Sequence, residues 1–175
     1  MEACIEHAIE KQMHMPAVIL LYSAIDAAAW LSCKQDKHTN KEFIEWVDKW
    51  MLPLNKLKCT ATDLYAARCS ILHTFTSKTD LTRKGKARQM CYVYGASTVQ
   101  EMEDVLKHGG NKVTDFVVVH FKDLYQSYQI GYRNFENDAH SDPAKLAIYE
   151  KKLGAYYRQV DQDEADKMVE ATKTP

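Results

Sequence analysis

The 175-residue chain is 46% hydrophobic, enough for one domain with its own core and too much for a disordered chain. A net charge of −1 provides no global cationic field, so contact with nucleic acid would fall to a local patch. Five cysteines, an odd number without a C-x-x-C pair, fit free thiols in a reducing, cytoplasmic compartment and not a disulfide framework.

Only 6 Gly and 4 Pro punctuate the chain, which suits long helices better than many short strands. The first residues lack a basic stretch followed by an apolar core, so no signal peptide is expected. Residues 2–13 carry Ile5, Ala8, Ile9 and Met13 at helical spacing. Residues 16–33 are the most apolar stretch. Ser23 and Asp26 interrupt it and it is short for a span, so it reads as a buried helix and not a membrane segment. Asn40 is placed to cap the next helix, whose apolar face is Phe43, Ile44, Val47, Trp50 and Met51 and which Pro53 ends.

Thr60 and Asp63 form a capping-box pattern that opens a helix over 60–76. Residues 77–88 are polar and basic. Gln89–Tyr94 is compatible with strand or helix. Residues 97–108 read as a helix ending at Gly109-Gly110. Over 112–139 the valines Val117, Val118 and Val119 favour a strand locally, but Val113, Phe116, Val117, His120, Leu124, Tyr128 and Gly131 keep helical spacing, and helix is expected. Pro143 starts a last helix to about Val160. Residues 161–175 are polar and expected to fray. The expectation is a compact all-α bundle of about six or seven helices, a single domain over 1–160.

The helix over 60–76 carries the chemistry. Its apolar stripe is Leu64, Ala67, Ile71, Leu72 and Phe75, with Arg68 inside the stripe. A guanidinium stays charged, so it must meet a carboxylate, reach water or line a cleft. Asp26, in register with Ile19, Tyr22 and Trp30, is similarly placed among apolar residues, and an Arg68–Asp26 pair is the structural explanation. His73 lies five residues after Arg68, roughly 140° of rotation in an α-helix, so the two share no narrow face. An arginine and a histidine together suit cleavage of an RNA phosphodiester: one neutralises phosphate charge, the other moves protons.

Arg68-Cys-Ser-Ile-Leu-His73, in its apolar setting, resembles the R-x(4–6)-H motif of the HEPN superfamily of helical-bundle domains. The likeness covers about fifteen residues of motif and the general helical pattern. It implies a homodimer with a composite site, and a metal-independent endoribonuclease of toxin–antitoxin or phage-defence systems, with an antitoxin or other protein partner. Arg68 would contact the scissile phosphate and His73 would be the acid/base. Cys69 departs from the polar residue that follows the arginine in active members, and non-catalytic RNA-binding or partner-binding versions exist.

Lys78, Arg83, Lys84, Lys86 and Arg88 follow the motif with Asp80 the lone acid among them. They read as a solvated loop or as an RNA phosphate grip. Cys69 and His73 are i, i+4, but no second Cys/His cluster at ligand spacing exists, so no metal is expected. There is no Gly-rich phosphate loop, and no cofactor is expected. The alternative reading is a non-catalytic helical dimerisation or interaction module.

Overall fold

The computed structural model describes residues 1–34, 39–53, 57–74, 79–110, 112–155 and 162–172. The chain is predominantly helical, with α1 (Glu2–Glu10), α2 (His14–Ser32), α3 (Asn40–Trp46), α4 (Ala61–Cys69) and α5 (Asp80–Arg83) in its first half. Strand β1 (Gln89–Val93), α6 (Val99–His108), β2 (Phe116–His120), α7 (Phe121–His140), α8 (Pro143–Leu153) and α9 (Gln162–Ala171) follow. Two helices continue into π turns, α3 over Val47–Met51 and α4 over Ser70–Thr74.

The centre of the core is α2. It is apolar around most of its circumference, as a helix enclosed by others must be. Leu21, Tyr22, Ile25, Ala28 and Ala29 are buried, and α1, α3, α8 and the π turn after α4 pack on it. By length and composition α2 also passes as a membrane span, and half of that window is buried inside the fold. Helix α7 crosses the π turn after α3 at Gly131, where a Cβ would lie 2.7 Å from the Trp50 carbonyl oxygen. Only glycine admits that approach.

Several helix starts are written in the sequence. Thr60 accepts from the Asp63 amide at 3.1 Å, and the Asp63 carboxylate accepts from the Thr60 amide at 2.9 Å, completing the expected capping box. The same reciprocal pattern opens α3, α5 and α6. For α3 the cap is Thr39 with Glu42, not Asn40: the hydroxyl accepts the helix amide while Asn40 is already helical.

The largest departure from expectation lies in 112–120. This stretch is not the start of a long helix. A 3-10 turn over Val113–Asp115 leads into β2, and α7 begins only at Phe121. Strand β2 pairs in parallel with β1, Gln89 opposite Phe116 and Val93 opposite His120, which also settles Gln89–Val93 as a strand. Val117, Val118 and Val119 are all buried, which needs cover on both faces, and a two-stranded sheet placed against helices supplies it. Helix α4 packs on β1, and α6 and α7 pack on β2. His120 makes the junction: its Nδ1 accepts from the Lys122 amide at 3.2 Å and caps α7, so its Nε2 carries the hydrogen donated to the Gly95 carbonyl at 3.1 Å.

Nine α-helices are present among the described residues, more than the six or seven expected, because short α5 and the polar α9 are helical. Gln162–Ala171, within the polar tail, is helical, and none of its residues is buried. Phe75 and Thr76 lie outside the described residues, as do 156–161 and 173–175.

Candidate functional site

Arg68 stands at the end of α4 and faces α2. Its Nη2 donates to Asp26 Oδ2 at 2.5 Å, so the two charges misplaced among apolar residues do meet. Both side chains are largely shielded, 17% exposed for Arg68 and 23% for Asp26. Burial works against the Arg68 charge, but the hydrogen bond and attraction from Asp26 outweigh it and raise its pKa.

Arg68 Nη1 also lies 2.8 Å from His73 Nε2. An α-helix would turn the two residues away from each other. The π turn over Ser70–Thr74 corrects this, because an i→i+5 turn needs one more residue to come round. Residues five apart then face each other as residues four apart do in an α-helix. Two side chains that the α-helical estimate separates are thereby brought together, and the exposed imidazole sits beside the half-buried guanidinium.

The direction of that hydrogen bond is fixed by chemistry. A guanidinium has no acceptor, so Nε2 of His73 accepts. His73 is therefore neutral in this arrangement, with its hydrogen on Nδ1. Asp26, Arg68 and His73 form a chain in which the carboxylate orients the guanidinium and the guanidinium selects the histidine tautomer.

Cys69 is half-buried and within hydrogen-bonding reach of Arg68 and of the Tyr65 hydroxyl. Burial, and then this thiol, push the Tyr65 hydroxyl up to about 12. Tyr65 is a neighbour of the site that the sequence analysis passed over. Its i, i+4 spacing to Cys69 was the available signal.

The basic stretch divides. Arg88 is anchored: Nη2 and Nε bond Asp63 Oδ2 at 2.6 and 3.2 Å, and Nη2 also reaches the Lys58 carbonyl at 2.8 Å. Asp63 is 2% exposed, so this ion pair locks the start of α4 to the approach of β1. Arg83 is exposed and pairs with Asp80 at 2.7 Å. Lys84 and Lys86 are exposed and form no ion pair among the described residues. Lys78 lies outside the described residues. No three His, Cys, Asp or Glu side chains among the described residues are grouped to hold a metal ion. No protein-family model, no curated protein and no solved structure matches this chain.

Proposed function

We propose that the chain is a HEPN-like RNA-binding protein that, as a homodimer, cuts RNA without a metal ion, in the manner of toxin–antitoxin or phage-defence nucleases. The observation that carries this reading is the 2.8 Å contact between Arg68 and His73, produced by a local π turn and braced from behind by Asp26. π turns are rare and occur frequently at functional sites.

The chemistry follows from the two side chains. With RNA bound, Arg68 turns its Nη1 to a phosphate oxygen and offsets the charge that builds there. His73 Nε2, released from Arg68, takes the proton of the 2′-hydroxyl as that oxygen attacks phosphorus. The 5′-oxygen leaves with a proton, and the products are a 2′,3′-cyclic phosphate and a free 5′-hydroxyl. Two copies related by a two-fold axis would supply a second imidazole to protonate the leaving oxygen.

A second reading is a non-catalytic helical interaction module bound to a protein partner. Cys69 after the arginine and the shielding of the Asp26–Arg68 pair favour it. Incubation of purified protein with mixed RNA in EDTA separates the two. Cleavage that persists in EDTA and is lost in both Arg68→Ala and His73→Ala supports the nuclease. Cleavage unchanged by either substitution belongs to a contaminant and sinks the reading. Absence of both RNA binding and cleavage leaves the interaction module.

A further inference from the structure

A cavity of about 430 Å³ lies between the start of α2, α4 with its π turn, α5 and β1. This falls within the usual ligand-pocket range of about 300–1,000 Å³. Neither Arg68 nor His73 lines it.

Aromatic rings and thioethers line one side of it, and Val18, Ala66, Ala67 and Ile71 line another. Tyr94 is stacked on His14, with ring centroids 4.0 Å apart, and lies 5.2 Å from Phe121. The Tyr92 hydroxyl is tied to that of Tyr22 at 2.6 Å, which satisfies the polar end of the ring and fixes the ring in the wall. Met15 and Met90 add thioethers, which pack well on aromatic faces. The aromatic and thioether side of the cavity suits a flat π system.

One edge is cationic. Thr82 and Arg88 both line the cavity, and a short stretch of chain joins them. That stretch carries Arg83, Lys84 and Lys86, all exposed. Arg83 is paired with Asp80 and Arg88 with Asp63, whereas Lys84 and Lys86 form no ion pair among the described residues. A largely apolar chamber with aromatic rings in its wall, and two exposed lysines in the stretch that joins two of its lining residues, complements a ligand that is flat at one end and negative at the other.

The geometry points to a binding site for an aromatic ring bearing an anionic group, with the ring among Met15, Met90, Tyr92 and Tyr94 and the anion on Lys84 and Lys86. Two sources share this chemistry, a nucleotide with its phosphate and an aromatic carboxylic acid. The site shares no side chain with the Arg68–His73 pair, so its failure would leave the RNA-cleavage reading standing.

The test is calorimetric titration of the full chain with adenosine 5′-monophosphate, 2-naphthoate, octanoate and inorganic phosphate. At least one of the first two binds saturably, and which one identifies the source. Tyr94→Leu and the surface double variant Lys84→Ser/Lys86→Ser each weaken that binding about tenfold. Octanoate and phosphate bind at least about tenfold more weakly than the aromatic anion. Failure of both aromatic anions to bind overturns the assignment. So does octanoate binding as tightly as they do, or affinity that survives the lysine double variant, which lies on the surface and leaves the fold intact.

Discussion

The guanidinium of Arg68 is shared between Asp26 Oδ2 on one side and His73 Nε2 on the other, at 2.5 and 2.8 Å. Because the arginine can only donate, the contact dictates where the imidazole keeps its hydrogen. Nitrogen-15 NMR of the neutral imidazole should show Nδ1 protonated and Nε2 bare. In Arg68→Ala the two nitrogens should lose that bias. A wild-type spectrum with the hydrogen on Nε2 would mean that the contact does not persist in solution.

Asp26 holds the arginine from the core side. Asp26→Ala leaves a half-buried guanidinium without this carboxylate. A fully buried pair would cost more to break, but with residual solvent access the loss should be about 1–3 kcal/mol. Chemical denaturation measures it. Replacing both partners by apolar residues, Asp26→Leu with Arg68→Met, should recover much of the loss, since the desolvation cost of the charges disappears with them. A double variant less stable than either single one would contradict this account.

A large part of this was legible in the sequence, and the reason lies in local chemistry. The capping box at Thr60 and Asp63, the stop at Gly109-Gly110 and the Asp26–Arg68 pairing each follow from residue types within a short window, or from two charges that have nowhere else to go. The strands were hidden because pairing is non-local: Gln89 finds Phe116 across an intervening helix, and each strand is only five residues long. The helical spacing running through Val113, Phe116 and Val117 merged with the true stripe of α7, and three adjacent valines were the correct warning. The approach of His73 to Arg68 was hidden because spacing was converted to angle with an α-helical twist.

Asp63 gives a pH dependence. Burial alone would raise its pKa, but hydrogen bonds from Arg88 and from the Thr60 and Arg88 amides outweigh that and hold it below the ordinary carboxylate value. The folded state therefore keeps this carboxylate ionised where the unfolded chain takes up a proton. Its stabilisation is complete above the unfolded value of about 3.9 and is lost as pH falls through the lower folded value. Urea midpoints between about pH 6 and pH 3 should fall in the wild type and fall less steeply in Asp63→Asn. Equal slopes would show that another group governs the acid limb.

Gly131 tests the packing of α7 on the π turn after α3. Gly131→Ala would place a methyl 2.7 Å from the Trp50 carbonyl oxygen and 3.2 Å from Met51 Cγ, so two backbones must separate. Overpacking of this kind costs about 1–3 kcal/mol, readable as a lower thermal midpoint. The gain in helix propensity from alanine is about 1 kcal/mol, so an unchanged midpoint would place the clash at the low end of that range.

The widened turn at Ser70–Thr74 separates two things that a sequence motif usually fuses, the count of residues between two side chains and the direction in which they look. An extra residue between an arginine and a histidine is absorbed on the spot, and the pair still meets. Chains with different gaps can thus present one and the same pair of groups, provided the helix is free to loosen between them.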